Sequence, residues 1–131
     1  MLTVTKKFEF CYGHRLPDYD GKCANQHGHN SVLEVEVSDS CIGLPAPKGM
    51  IEDFSFLKSL VEKAIINKLD HKYINNLRGK SPNVSFLTMV DMPTAENIVK
   101  WIVQILQIHY KEGLIRVRLY ETSDSYAEWR E

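Results

Sequence analysis

A cysteine and two histidines lie within the nine-residue segment KCANQHGHN, which spans residues 22–30. Cys23 offers a thiol, and His27 and His29 offer imidazoles, so the segment could bind a metal ion or supply a nucleophile. Two histidines spaced two residues apart also occur on ordinary protein surfaces. The segment alone therefore leaves three interpretations open: a metal site, a reactive thiol or a plain loop.

Two predicted strands flank this segment. In residues 3–14 the even positions are mostly apolar and the odd ones polar, which predicts a half-buried strand ending in His14. Residues 15–26 predict a loop, and HNSVLEVEV predicts a second strand over residues 29–37. His29 shares the apolar face of that strand, and His27 joins it if the strand extends back by two residues. A hairpin-like return would bring His14 beside both.

Three imidazoles are a ligand set that zinc accepts, and they leave the fourth position of a tetrahedral ion open for catalysis. On position alone, however, His14 is better interpreted as a hydrogen-bonded core histidine. Cys23 could be a fourth ligand, which would make the site structural, or a free thiol that abstracts a proton near the metal. Cys11 and Cys41 are interpreted as small apolar fillers.

Two carboxylates are further candidates for a site. Asp70 precedes His71 in LDHKYIN, a pairing that is more typical of a helix end than of a catalytic dyad. Glu121 follows three apolar residues on the inward face of LIRVRLYET, and an inward carboxylate is costly unless it is hydrogen-bonded. Its partner could be a planar ligand with two N–H donors, such as a 2-amino-4-oxo heterocycle, or an arginine, or two backbone amides.

The remaining elements predict an α+β fold. One helix follows Asp53 and extends to about Leu69, and a second follows Thr94, each with apolar residues at three- and four-residue steps. Residues 38–50 predict a connection, residues 73–92 look irregular, and residues 114–122 and 125–129 predict the last strands. Three or four antiparallel strands with two helices on one face make one domain over residues 1–131. The open edges of such a sheet favour self-assembly by strand pairing.

Composition excludes several classes of function. The chain of 131 residues has 16 basic and 17 acidic side chains, which does not favour nucleic acid or an anionic membrane as a partner. The N-terminus lacks the apolar core of a signal peptide, and no apolar run approaches the roughly 20 residues of a membrane span. The sequence therefore predicts a cytoplasmic protein whose three cysteines are thiols.

Six segments occur in an order that resembles a known family. They are FEFCYGHRL, GKCANQHGHN, GMIEDFSFLK, LDHKYIN, PTAEN and YET. Together they resemble the motifs of the 6-pyruvoyltetrahydropterin synthases and 6-carboxytetrahydropterin synthases, over nearly the whole chain. The resemblance implies the tunnelling fold, in which the four-stranded sheets of three subunits close into a barrel. It also implies that two such trimers stack as a hexamer with sites at subunit interfaces.

The resemblance also implies roles for individual residues. It identifies three zinc ligands, His14, His27 and His29. It makes Cys23 the catalytic thiol rather than a fourth ligand, with Asp70 and His71 assisting proton transfer, in a site on a neighbouring subunit. It makes Glu121 the anchor of the pterin ring. Candidates for the pocket wall are Thr94, Glu96 and Thr122.

The leading functional interpretation is a zinc-dependent 6-carboxy-5,6,7,8-tetrahydropterin synthase that acts on 7,8-dihydroneopterin triphosphate, on the route to queuosine and other 7-deazapurines. One alternative is a 6-pyruvoyltetrahydropterin synthase, which eliminates triphosphate but keeps the three-carbon side chain. Another is a non-catalytic, zinc-containing pterin-binding module.

Two positions depart from the family pattern. Tyr12 stands where a small residue is expected, and Ser31 stands where an aromatic residue usually follows HGHN. Both are predicted to point to the ligand face of their strands. We hypothesise that an aromatic side chain has moved from one side of a single pocket to the other.

Overall fold

The computed structural model describes residues 1–39 and 49–131, so Cys41 lies outside the described residues. The strands are β1 Thr3–His14, β2 His27–Ser38, β3 Lys72–Tyr73, β4 Leu114–Thr122 and β5 Ser125–Arg130. The helices are α1 Phe54–Val61, which continues through a π-helical segment Glu62–Ile66 into α2 Asn67–Leu69, then α3 Val84–Asp91 and α4 Ala95–His109. Single 3₁₀ turns occur at Lys22–Ala24 and Ile74–Asn76.

The strands form one sheet in the order β3-β1-β2-β4-β5. The α+β class is confirmed, but the sheet has five strands and not the predicted four. The additional strand, β3, pairs parallel to β1 through Lys72 and Tyr73 alone. Two residues are too few to show an alternating pattern, so only the tertiary contact with β1 reveals this strand.

The prediction of two helices is also wrong, because α3 occupies part of the region that looked irregular. Asn83 begins α3, since its side chain accepts a hydrogen bond from the backbone N–H of Phe86 at 3.0 Å. The helix has only eight residues, which is too short for a strong 3.6-residue pattern. Gly79 and Pro82 lie before it and do not interrupt it.

The core lies between one face of the sheet and the helices. Alternate residues of β1, β2 and β4 point to this face, and α4 covers it with a buried stripe. The same face continues past the core to His14 and Glu121 at one end of the sheet. The alternation that buries the core therefore also orients the candidate site residues.

Among the described residues, no helix combines the length and the apolar composition that a membrane crossing needs.

The cap of α3 gives a test of the missed helix. The variant Asn83→Ala loses the acceptor for the Phe86 N–H, so we expect the free energy of unfolding to fall by about 1 kcal/mol in urea titrations. The matched control is Asn76→Ala, at an exposed asparagine outside the long helices, where the change should stay within about 0.5 kcal/mol. Equal losses in both variants would contradict the cap assignment.

Candidate metal centre and active site

The structure brings His14, His27 and His29 together at the end of the β1–β2 hairpin. Strand register places His14 directly opposite His27, with His29 two residues further along the same face. The three ring centroids are 4.5, 5.0 and 5.0 Å apart, and the Nε2 atoms of His29 and His14 are 3.0 Å apart. One ligand atom from each residue lies within 4.8 Å of the others, so the cluster could hold a metal ion.

Backbone carbonyl groups set the tautomers of two of these rings. Nδ1 of His14 lies 2.7 Å from the carbonyl oxygen of Pro93, and Nδ1 of His27 lies 2.7 Å from that of Asn25. A carbonyl oxygen can only accept, so each Nδ1 donates and each Nε2 keeps a lone pair. Metal-binding histidines in proteins are oriented in this way. The donor set therefore fits a divalent metal ion.

Burial keeps the imidazoles of His14 and His29 in the neutral form that binds metals. Desolvation lowers the pKa of His14 to about 4, against a smaller opposing contribution from its hydrogen bond to Pro93. Burial also lowers the pKa of His29, although the negative charge of Glu121 opposes the shift. At neutral pH both rings are therefore uncharged, and a metal ion would not have to displace a proton from them.

Glu121 lies beside the histidine cluster. Its Oε1 atom is 3.8 Å from Nε2 of His14 and 4.0 Å from Nε2 of His29. Its side chain is 29% exposed, and no arginine or lysine in residues 1–39 and 49–131 forms an ion pair with it. The sequence allowed an arginine as the partner of Glu121, and the described residues do not contain one in that position. Among the described residues, the carboxylate therefore has imidazoles but no arginine or lysine as neighbours within ion-pair distance.

A second cluster joins Cys11, Asp70 and His71. Oδ1 of Asp70 accepts a hydrogen bond from the backbone N–H of Cys11 at 3.1 Å, and it lies 2.9 Å from Nδ1 of His71. The bond from Cys11 is the largest cause that lowers the pKa of Asp70, so its carboxylate is ionised beside the imidazole. The thiol Sγ of Cys11 also lies 3.8 Å from this oxygen, so the interpretation of Cys11 as an apolar filler missed a contact of both its backbone and its side chain.

His71 is held in an unusual backbone conformation. Its φ angle is 60°, its N–H donates to the carbonyl oxygen of Cys11 at 2.7 Å, and its side chain is 79% exposed. Positive φ is rare for a residue other than glycine and is often found at functional sites. His71 lines an open cavity of about 570 Å³ together with His27 and His29. His71 thus lines the same cavity as two of the histidines, but neither His71 nor Asp70 belongs to the histidine cluster.

Cys23 lies near the cluster in the chain but is not one of the donors grouped within 4.8 Å. It is half-buried in the 3₁₀ turn Lys22–Ala24, and its carbonyl oxygen accepts a hydrogen bond from the N–H of Leu16 at 2.8 Å. Leu16 follows His14 by two residues, so this bond holds the turn at the same end of the sheet as the histidines. The arrangement favours a free thiol over a fourth ligand.

The three pocket-wall candidates lie at the ends of elements around the site. The Thr94 side chain accepts a hydrogen bond from the N–H of Asn97 at 3.2 Å and begins α4, next to the carbonyl of Pro93 that orients His14. Glu96 is exposed in the first turn of α4. Thr122 follows Glu121, and its hydroxyl donates a hydrogen bond to Oδ1 of Asp124 at 2.8 Å.

The fold and the site together define a small α+β protein whose sheet presents three convergent imidazoles and a carboxylate at one end. The chain belongs to the 6-pyruvoyl tetrahydropterin synthase family, whose model matches residues 3–131. This confirms the family that the ordered motifs resemble.

Named relatives include two kinds of pterin synthase. The chain is 35% identical to a 6-carboxy-5,6,7,8-tetrahydropterin synthase of Haemophilus influenzae, with 100% of both chains covered. It is 32% identical to a 6-pyruvoyl tetrahydrobiopterin synthase of Dictyostelium discoideum, covering 84% of this chain and 74% of that one. The structure of Caenorhabditis elegans 6-pyruvoyl tetrahydropterin synthase matches with a TM-score of 0.74 at 21% identity, covering 99% of this chain and 95% of the other. That structure supports the fold.

Proposed function

We propose that the chain is a zinc-dependent 6-carboxy-5,6,7,8-tetrahydropterin synthase, a lyase that acts on 7,8-dihydroneopterin triphosphate. The observation that carries this proposal is the carboxylate of Glu121 within 4.0 Å of two histidines of a three-histidine cluster. It supports a role for Glu121 as the anchor of a ring with N–H donors, beside the proposed site for a Lewis acid. The relative from Haemophilus influenzae, which bears that name and matches over its full length, supports the carboxy product.

The proposed site combines a metal, an anchor and proton-transfer groups. His14, His27 and His29 would hold the zinc ion, which would supply Lewis acidity for proton loss from a hydroxylated substrate side chain. Glu121 accepts the two N–H donors on one edge of the pterin ring and thereby fixes the position of that side chain. Thr94, Glu96 and Thr122 are assigned to the wall of the pocket.

Two groups are assigned to move protons. As a thiolate, Cys23 accepts a proton from a side-chain carbon on one face of the substrate. His71, held by the carboxylate of Asp70, exchanges a proton on the other face. The 79% exposure of the His71 side chain, next to the edge strand β3, supports a role at the site of an adjacent subunit.

The proposed assembly is a hexamer of two stacked trimers, in which the sheets of three chains form one barrel. The exposed edges of the sheet support it. Along its outer side, β1 pairs only at Tyr12 and Gly13 among the described residues, so most of that edge is available to a strand of another chain. The opposite edge is β5, which in residues 1–39 and 49–131 pairs only with β4.

The 6-pyruvoyl tetrahydropterin reaction is the second candidate, favoured by the relative from Dictyostelium discoideum. Incubation of the zinc-loaded protein with 7,8-dihydroneopterin triphosphate separates the two candidates by the mass of the product. We expect 6-carboxytetrahydropterin with release of acetaldehyde and triphosphate. A product that keeps the three-carbon side chain would assign the second candidate. Absence of turnover with zinc bound would support a non-catalytic pterin-binding module.

Glu121 provides a test of the ring anchor. In Glu121→Gln one acceptor oxygen becomes an N–H₂ donor, which faces the donors of the ring. We therefore expect neopterin, a pterin without the triphosphate, to bind about 10- to 100-fold more weakly in fluorescence titrations. Zinc content should stay at the wild-type level. The control is Glu112→Gln, at an exposed glutamate outside the site, and equal neopterin affinity in both variants would remove Glu121 from the site.

A further inference from the structure

Two buried hydroxyl groups lie on the site-facing side of the sheet without a hydrogen bond. Tyr12 is 3% exposed and Ser31 is 1% exposed. Within the part of the chain that the structure describes, neither Oη of Tyr12 nor Oγ of Ser31 has a partner with hydrogen-bonding geometry. A buried hydroxyl that gives up water without gaining a partner destabilises the folded protein. Two such groups on one face therefore require a physical explanation.

Both side chains lie beside the histidine cluster. Tyr12 pairs with His29 across the strands, and Ser31 follows His29 by two residues on the same face. The ring of Tyr12 meets the ring of His14 edge-on, with centroids 5.2 Å apart, and its centroid is 5.7 Å from that of His29. The Tyr12 ring is thus the next layer inward from the histidine cluster.

Glu121 and Ser31 are also neighbours of the Tyr12 hydroxyl. Tyr12 pairs with His29, and Oε1 of Glu121 lies 4.0 Å from Nε2 of that histidine. Ser31 and Glu121 each adjoin a residue of the pair Val32–Tyr120 in the register of β2 with β4. A phenol hydroxyl can donate a hydrogen bond, so Tyr12 offers a donor in the neighbourhood of an acceptor carboxylate.

The chemistry of a 2-amino-4-oxo ring matches this arrangement. A carboxylate can accept hydrogen bonds from the two adjacent N–H groups of this ring. The two atoms that flank this N–H edge, the 4-oxo oxygen and a ring nitrogen, are acceptors. A hydroxyl group beside the carboxylate can donate to one of them. A second hydroxyl group next to the first can accept from or donate to the same network.

We infer that Tyr12 and Ser31 form a polar subsite, hereafter the hydroxyl pair, that hydrogen-bonds the acceptor atoms flanking the N–H edge of a bound pterin. This inference rests on the proposed function and adds specificity-determining residues to its site. The hydroxyl pair donates to the acceptor atoms of the ring, while Glu121 accepts hydrogen bonds from its N–H groups. A ring that offers the N–H donors without a neighbouring acceptor would leave the pair unsatisfied, and so would be bound less well.

The test uses zinc-loaded wild-type protein and the variants Tyr12→Phe and Ser31→Ala, with neopterin as the fluorescent ligand. We expect Tyr12→Phe to weaken neopterin binding about tenfold and Ser31→Ala to weaken it by less. The double variant should lose less than the product of the two single losses, because the hydroxyl groups share one ligand. Tyr126→Phe, at a tyrosine 51% exposed on β5, is the matched control and should bind as the wild type does.

A second readout separates ligand recognition from a structural role. Because the Tyr12 hydroxyl has no partner in the described protein, its removal should leave the melting temperature of the ligand-free protein unchanged or higher, with zinc content unchanged. A clear fall in melting temperature would show that protein or buried water satisfies the hydroxyl, which overturns the inference. Unchanged neopterin affinity in Tyr12→Phe would overturn it as well. Failure of the wild type to bind neopterin would instead overturn the proposed function. It would also show that a pterin is not the ligand of the hydroxyl pair.

Discussion

The variant His14→Ala is expected to lose zinc and activity together. His14 is 1% exposed, its Nδ1 is fixed by Pro93, and its Nε2 lies 3.0 Å from that of His29. Removal of one of three ligands should weaken zinc binding at least about a hundredfold, and activity should fall in parallel. Zinc content by plasma emission spectroscopy and turnover of 7,8-dihydroneopterin triphosphate are the two measurements.

A second ligand variant keeps this prediction independent of folding. His14 is buried, so its replacement could also destabilise the chain, whereas His27 is only half-buried and can be removed at lower cost. His27→Ala should therefore lose zinc while keeping its melting temperature within a few degrees of the wild type without metal. His109→Ala, at an exposed histidine near the end of α4, should keep one zinc per chain. Full zinc content in His27→Ala would refute the three-histidine site.

Replacement of the proposed proton-transfer groups should strongly reduce turnover and leave zinc in place. Cys23→Ala and His71→Ala each remove a group that exchanges a proton with the substrate, so we expect turnover to fall by about 10²- to 10⁴-fold. Neither residue belongs to the histidine cluster, and zinc content should stay at one ion per chain. Loss of zinc from Cys23→Ala would instead identify a structural ligand.

The same two variants test whether the sites are shared between subunits. If Cys23 of one chain acts with His71 of the next, co-expression of the two inactive chains restores intact sites. Random assembly then gives about a quarter of the wild-type activity. Hexamers that contain both chains can be isolated through two different affinity tags, and two differently tagged copies of Cys23→Ala serve as the inactive control. Activity no higher than that control would place both groups in the site of a single chain.

Regular periodicity in the sequence was enough to predict the strands that hold the site. Residues 3–14 and 29–37 alternate with period two over many positions, and an antiparallel return between them leaves few alternatives for the placement of their ends. The family followed from the order of six motifs, and the family model over residues 3–131 confirms it. Local patterns of this kind depend on residues close together in the chain, so one sequence contains them.

Short elements and backbone contacts could not be predicted in this way. β3 has two residues and α3 has eight, and both are stabilised by contacts with β1 and α4 that no local pattern records. The acceptors that orient His14 and His27 are the carbonyl groups of Pro93 and Asn25, which every residue possesses whatever its side chain. The role of Cys11 in holding Asp70 depends on a backbone N–H in the same way.

The sequence by itself determined which side chains share a face and in what order the motifs occur, because these follow from spacing along the chain. Only the tertiary structure decided which distant groups meet. It placed Pro93 against His14, Asp70 against Cys11, and Glu121 beside the histidines, across separations of 79, 59 and more than 90 residues. It also left the hydroxyl groups of Tyr12 and Ser31 without a partner in the described protein, since burial depends on the packing of the whole chain.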